Sequence, residues 1–341
     1  MQQKILVVGG GLAGLCIAMR LIEQGHQVTL VDDNKNASSA IAAGIVNPFS
    51  FRRTLLSWSA SPFFTESESF YKSLNDRLNL DFYKPIHIRR LFATADESAL
   101  WNLRLAQAEF NSYMIPINDK DRSFLPFGSG RIKGFWIDAP VFINACKAWI
   151  AQHAQVINER FEPKDFNETN TSYLNKQYDV VVFALGYRNH ELPWFSDIPV
   201  GTTKGQILTV KWNYSSENTS LHRKAFALPV GNDVFKIGST YEWNNTNLLP
   251  TEEGKQLILK NFNSISVDEV EVVQHVAGIR PTSPDRRPIL GSHYQFPKLY
   301  IFNGLGTKGY MLAPSLSNLL AEAVLENKPI PLELNPYRFK T

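Results

Sequence analysis

Six residues near the N-terminus, Gly9 to Gly14 in the run VVGGGLAGL, constrain this chain more than any other feature. An apolar run, Lys4 to Val8, leads into them. From Leu12 to Gln24 apolar residues recur at helical spacing, Gly25 supplies a stop, and a second apolar run covers Gln27 to Val31. The pattern predicts strand, helix, strand. Gly9 allows the tight turn, Gly11 lets the backbone approach a phosphate, and Gly14 lets the helix pack close to the strand, with Leu12 and Ala13 completing the turn. The free N–H groups and positive dipole end of the helix start then face an anion. Asp32, followed by Asp33, ends the second run 18 positions beyond Gly14. A carboxylate there accepts hydrogen bonds from ribose hydroxyls and disfavours a 2′-phosphate. The segment is therefore expected to hold the pyrophosphate of a dinucleotide, and it does not by itself separate FAD from NAD. A second GxGxxG, Gly304, Gly306 and Gly309, opens no such unit.

Two later runs resemble the first strand: VVVFALG from Val180 to Gly186 and LYIFNGLG from Leu299 to Gly306. Continuous apolarity ending in glycine suits parallel strands covered on both faces, whose ligands gather at the carboxyl ends. Between these runs, Gln206 to Trp212 and Phe235 to Tyr241 read as strands with mixed faces, separated by the polar loop NYSSENTS, and predict antiparallel sheet. Asp138, Ala139 and Pro140 predict a helix start before Val141 to Ile150. The expected class is α/β (α+β overall), a Rossmann-type dinucleotide-binding domain with an inserted, mostly antiparallel sheet domain for substrate. The first is expected from 1–83, 137–203 and 278–341, and the second from 84–136 and 204–277.

At about 150 residues per domain, 341 residues agree with two domains. Thirty-five Lys and Arg against 32 Asp and Glu give +3, spread too thinly to supply a field for a polyanion, so nucleic acid is not the expected partner. Cys16 and Cys146 form no CxxC and the seven histidines lack ligand spacing, so no metal site is expected. Glycines and early charges, Arg20 and Glu23, break the apolar start, which argues for a cytoplasmic protein without a membrane span.

From end to end the chain resembles the D-amino-acid oxidase family, which includes glycine oxidase and sarcosine oxidase. The matching segments, in family order, are VVGGGLAGL, IAAGIVNP, YDVVVFALGY, TTKGQILTV, FKIGSTYEW, GIRPTSPDRRPILG and GLGTKGYMLAPSLSNLLAEAV. The resemblance implies FAD rather than NAD. It places Ala43, Gly44, Ile45 and Asn47 along the flavin ring, and Gly304, Leu305, Gly306, Thr307, Lys308 and Gly309 over its other edge. It also assigns Phe161, Ala184, Leu185, Gly186 and Arg280 to the cofactor's surroundings. A helix from Ala313 to Glu326, opened by Pro314, is expected to aim its positive end at that edge, where negative charge collects on hydride transfer. Neither cysteine occupies a position at which relatives attach flavin, so noncovalent FAD is expected.

The family moves hydride from the carbon beside nitrogen to flavin, leaving an imine that water hydrolyses. Resemblance therefore predicts an oxidase or dehydrogenase of a small amino acid or secondary amine, with oxygen or another electron acceptor. An amino acid needs a cationic clamp for its carboxylate. Arg280 matches the clamp of the glycine and D-amino-acid oxidase branches, and Arg52 with Lys308 resembles that of the sarcosine oxidase branch. Lys236 matches a lysine that promotes reaction with oxygen, and Tyr241 and Trp243 could wall the pocket. Two other classes stand beside this reading: a tRNA-modifying, FAD-dependent secondary-amine oxidoreductase, since the family includes such a domain, and a non-catalytic or NAD-linked dinucleotide-binding protein.

Overall fold

The structure is a computed structural model that describes residues 1–35, 38–51, 53–117, 126–216 and 218–340. Six strands form the first sheet, in the spatial order Ile289–Ser292, Leu299–Asn303, Val180–Phe183, Lys4–Val8, Gln27–Val31, Gln155–Ile157. All pairs are parallel except the edge strand Ile289–Ser292. The central strands bury every residue that follows Lys4 or precedes the glycine turns, as two-sided coverage requires. One face packs on the helix Leu12–Glu23 and on Gly309–Glu326, whose Leu316, Leu320 and Val324 join the same core as Leu15, Ile17 and Leu21. All six strands fall within 1–83, 137–203 and 278–341, but Ile45–Val46, from the first of these ranges, joins a second sheet, and Gly201–Lys211 and Glu271–Thr282 of that sheet run across the expected boundaries.

The second sheet follows the order Glu242–Trp243, Gly201–Lys211, Val234–Gly238, Phe226–Gly231, Thr219–His222, Tyr83–Leu91, Ser129–Ile137, Ile45–Val46. The long strand Glu271–Thr282 pairs with Gly201–Lys211, and Met114–Ile115 pairs with Ser129–Ile137. Its pairs are antiparallel except Thr219–His222 with Tyr83–Leu91. Leu208, Val210, Phe235 and Ile237 pack one face onto the helix Glu252–Phe262, leaving the alternate residues for the side facing the first sheet. Two strands, Thr219–His222 and Phe226–Gly231, stand where the sequence suggested only a loop between its antiparallel runs.

The helix Ala139–His153 begins as expected, with the Asp138 side chain accepting from the Val141 amide at 3.4 Å. The C-terminal helix does not. It starts at Gly309, so Pro314 lies inside it rather than opening it. The missing Pro N–H lies in the second turn, and the Pro314 carbonyl is engaged by the Arg20 guanidinium at 3.0 Å and Ser317 Oγ at 2.7 Å. The second glycine triplet therefore links a parallel strand to a helix, with Gly304 and Gly306 at φ +70° and +55°, but among the described residues no further parallel strand follows that helix.

Candidate functional site

The carboxyl ends of Lys4–Val8, Val180–Phe183 and Leu299–Asn303 open into a cavity of about 420 Å³ that continues toward the second sheet. Its first wall is the glycine turn. Gly9 sits at φ +108°, and a Cβ there would come within 2.5 Å of the Ala184 carbonyl oxygen. At Gly14 a Cβ would lie 1.8 Å from the Gly9 oxygen. Strand, turn and helix are thus in backbone contact, and a side chain at either position would wedge them apart. Gly14 to Val is therefore expected to weaken cofactor retention by roughly 10-fold or more, the scale of about 1–3 kcal/mol of overpacking. Flavin absorbance per chain with a far-ultraviolet circular dichroism spectrum checks this; full occupancy would contradict it.

Gly9, Gly11, Leu12 and Ala13 border this cavity, and so do Asp32 and Asp33. Two of the local amides are already taken: Gly10 N donates to Asp32 Oδ1 at 2.9 Å and Leu12 N to Ser39 Oγ at 3.0 Å. Asp32 Oδ2 also receives Lys147 Nζ at 2.6 Å, yet each carboxylate oxygen keeps acceptor capacity for a ribose hydroxyl. Asp33 is paired with Arg188 at 2.9 Å. Ser39 and Arg188 complete this end of the cavity and Lys147 supports it through Asp32; no motif spacing announces the three. The helix-start dipole, the close backbone approach and the acceptor at Asp32 together suit a dinucleotide pyrophosphate and its ribose.

Farther in, the cavity is bordered by Ala43, Gly44, Ile45 and Asn47, by Leu305, Gly306, Thr307, Lys308 and Gly309, and by Ala184, Leu185 and Gly186. Ile45–Val46 pairs with Phe135 and Trp136, and Trp136 Nε1 donates to Ala43 O at 2.9 Å. Gly44, at φ +80°, passes so close to Ile137 that a Cβ would sit 1.9 Å from its oxygen. Gly304 borders a second, adjoining cavity instead. Phe161 borders neither. Its side chain is buried in an aromatic cluster with Phe166, Tyr173 and Phe183, because the apolar back of the sheet offers it more contact than the cavity does.

Arg280 reaches the junction of the two cavities from Glu271–Thr282. Its Nη2 donates to Ser239 Oγ at 3.0 Å and its Nη1 to Thr240 O at 3.3 Å, and its plane rests against Gly205, where a Cβ would come within 2.1 Å of Nη2. Tyr241, 57% exposed, lies with its ring centroid 4.7 Å from the guanidinium carbon. Among the described residues no carboxylate pairs with Arg280. Burial pulls its pKa down, so the cation sits at a cost that an incoming anion relieves.

Lys308 is placed differently from a clamp. Its Nζ donates to Asn47 O at 2.8 Å, Asn47 Oδ1 at 3.1 Å and Phe49 O at 2.9 Å. An ammonium has three N–H donors, and all three are used, so none is left for a carboxylate. The residue instead ties the wall at Asn47 to the glycine turn at Gly306. Burial pushes its pKa down to about 7. Arg52, its expected companion, lies outside the described residues. Lys236 borders neither cavity. It pairs across the sheet with Thr209, on the face that carries Ile207 into the cavity but one pleat farther along, and burial lowers its pKa.

The adjoining cavity, about 1530 Å³, forms a wide mouth. Trp243, 63% exposed, stands on it with Tyr241. Arg223, Lys224 and Arg286 border it and have no acidic partner among the described residues, whereas its Glu97 and Asp285 are paired with Arg90 and Arg338. Among the described residues no helix is long and apolar enough to cross a membrane, and no group of His, Cys, Asp and Glu could hold a metal ion.

A model of the DAO family, described as FAD dependent oxidoreductase, matches residues 4–323. The chain is 26% identical over 367 residues to a glycine oxidase of Pseudomonas aeruginosa, covering 99% of this chain and 98% of that protein. It is 24% identical over 426 residues to the tRNA 5-methylaminomethyl-2-thiouridine biosynthesis bifunctional protein MnmC of Pseudoalteromonas atlantica, where 99% of this chain covers 59% of the relative. Among solved structures, glycine oxidase from Geobacillus kaustophilus superimposes with a TM-score of 0.79 at 20% identity, covering 96% of both chains, a likeness of fold.

Proposed function

From the premise that the chain belongs to the DAO family of FAD-dependent oxidoreductases, enzymes acting on amines or amino acids, we propose that it oxidises the C–N bond of a small, carboxylate-bearing amine. The imine so formed hydrolyses in water. The single observation that carries the substrate class is Arg280, a half-buried guanidinium at the cavity junction without an acidic partner among the described residues. Its planar fork suits a carboxylate held by two hydrogen bonds.

The cavity suits the cofactor. Gly9, Gly11 and the helix start would hold the pyrophosphate, Asp32 the ribose, and the walls at Ala43–Asn47 and Leu305–Gly309 the ring system. Bound flavin supplies the hydride acceptor. The chain's own work is positioning. Arg280 fixes the carboxylate, and Tyr241 covers the guanidinium and narrows the opening. The tie from Lys308 keeps the two ring walls at a set spacing. With reacting groups so held, most of the barrier reduction comes from orientation.

We infer noncovalent attachment. Cys16 and Cys146 are both buried in helices outside the cavities, and burial pushes the Cys16 thiol up to about 12 and the Cys146 thiol up as well, so neither presents a thiolate. Acid precipitation is expected to leave the polypeptide colourless and the supernatant yellow; flavin remaining on the chain contradicts this. Oxygen or another compound takes the electrons, and the reading holds for either. The central test is an anaerobic screen of amino acids and N-methylated amines for flavin bleaching, followed by oxygen and a peroxide assay.

A second reading, oxidation of a secondary amine carried on tRNA, gains support from the mouth. Arg223, Lys224 and Arg286 lie there with exposed Tyr241 and Trp243, cations beside stacking surfaces of the kind single-stranded nucleic acid uses. A salt-sensitive mobility shift with tRNA, lost on replacing Lys224 and Arg286 by Glu, supports this reading; no shift at low salt removes it.

A further inference from the structure

One polar side chain inside the cavity has no part in the scheme above. His222 ends the strand Thr219–His222 and borders both cavities. Its ring stands between two phenylalanines, with centroids 5.3 Å from Phe51 and 6.1 Å from Phe226. No motif spacing singles it out, since it lies in a strand that the sequence pattern does not reveal.

The contacts around His222 favour one tautomer. Ser220 Oγ lies 3.1 Å from the Ala227 carbonyl oxygen and 2.9 Å from His222 Nε2. A hydroxyl has one hydrogen and a carbonyl only accepts, so the arrangement that satisfies both contacts has Ser220 donating to Ala227 and accepting from Nε2–H. The lone pair then resides on Nδ1. That atom has no partner among the described residues, and it is not among their sealed, unpartnered polar atoms. Its remaining surface therefore belongs to the cavity. Burial, reinforced by the charges of Arg90 and Lys308, pushes the imidazole down to about 3, which keeps the ring neutral and Nδ1 an acceptor.

We propose that His222 Nδ1 accepts an N–H of the substrate amine, so that Arg280 reads the carboxylate and His222 reads the nitrogen. The proposal rests on the amine-oxidation reading and adds to it a specificity-determining residue. The fit is one of chemistry. A neutral acceptor beside two aromatic rings, near the positive charges of Arg90 and Lys308, favours an amine that enters uncharged. An uncharged amine keeps the nitrogen lone pair that hydride loss from the adjacent carbon requires. An ether oxygen at the same place offers no hydrogen, and it would set a lone pair against a lone pair.

The test uses the flavin-loaded enzyme and two probes, N-methylglycine and methoxyacetate, which differ by NH against O. Dissociation constants come from anaerobic rapid-mixing reduction for the first and from flavin spectral perturbation for the second. His222→Phe is expected to weaken N-methylglycine about 10-fold, the value of one lost hydrogen bond with its partner unsatisfied, and methoxyacetate by less than about twofold. His222→Gln, whose amide both donates to Ser220 and accepts from substrate, should recover most of the loss if the role is polar. Nitrogen-15 resonances of the histidine rings give a reading independent of turnover: His222 should show an unprotonated Nδ1, and Ser220→Ala should convert it to a mixture of tautomers. Equal weakening of both probes in His222→Phe, or a protonated Nδ1 in the parent enzyme, overturns the proposal. Failure of the amine reading looks different: Arg280→Ala would leave the binding of both carboxylates unchanged while the His222 resonances stayed as described.

Discussion

Replacing Arg280 by Ala is expected to lower kcat/KM for a carboxylate-bearing amine by about two to three orders of magnitude, while an amine without a carboxylate loses less than about threefold. The size follows from the geometry. A charge-assisted hydrogen bond contributes about 1.5–3 kcal/mol and a bidentate pair makes two, with each 1.4 kcal/mol amounting to about tenfold. The present partners of the Arg280 guanidinium, the Ser239 hydroxyl and the Thr240 carbonyl, are both uncharged. The effect should fall on KM more than on kcat, because the carboxylate is held alike in the ground state and the transition state. Arg280→Lys should restore part of the loss, since a point charge returns but the planar fork does not. Flavin content measured beside the kinetics separates loss of substrate binding from loss of cofactor, as Arg280 also borders the cavity that begins at the glycine turn. An unchanged KM in Arg280→Ala would place the carboxylate elsewhere.

What could be read without coordinates follows from the range of the forces involved. The glycine turn was legible because its constraints are local: Gly9, Gly11 and Gly14 act on backbone within a few residues, and strand Lys4–Val8 and helix Leu12–Glu23 start where expected. The proposal of Arg280 as a clamp rests on a resemblance spanning the chain, and the structure sets that residue at the cavity junction. Partnership over long separations was not legible. Lys308 has the residue type of a clamp, yet its acceptors lie 261 and 259 positions away. Lys147, which pairs with Asp32, lies 115 positions from it. Phe161 was drawn into the core by aromatic contacts on the far side of the sheet. The strand bearing His222 is not legible because TSLH is short and has a single apolar residue, and its pairing with Tyr83–Leu91 is made by residues more than a hundred positions away.

Lys308→Met is the sharpest separation of a tie from a clamp. The substitution leaves Asn47 O, Asn47 Oδ1 and Phe49 O without their shared donor, and about 1–3 kcal/mol per unsatisfied buried group makes a loss of about 2–4 kcal/mol reasonable after water and relaxation recover part of it. The melting temperature should fall by several degrees, and cofactor retention should weaken because the wall at Asn47 is released from the glycine turn. KM for a carboxylate substrate should change far less than in Arg280→Ala. The pH dependence adds a second signature. The folded-state pKa of Lys308 is lowered to about 7 from 10.5, so between those values the unfolded chain binds more protons and stability contributed by this group rises with pH. The penalty of burying the ammonium is complete below about 7 and disappears as pH climbs toward 10.5. Thermal melts of both proteins between pH 7 and 10 should therefore show the parent gaining on Lys308→Met as pH increases. A constant difference across that window, together with a KM loss matching that of Arg280→Ala, would return Lys308 to the role of carboxylate clamp.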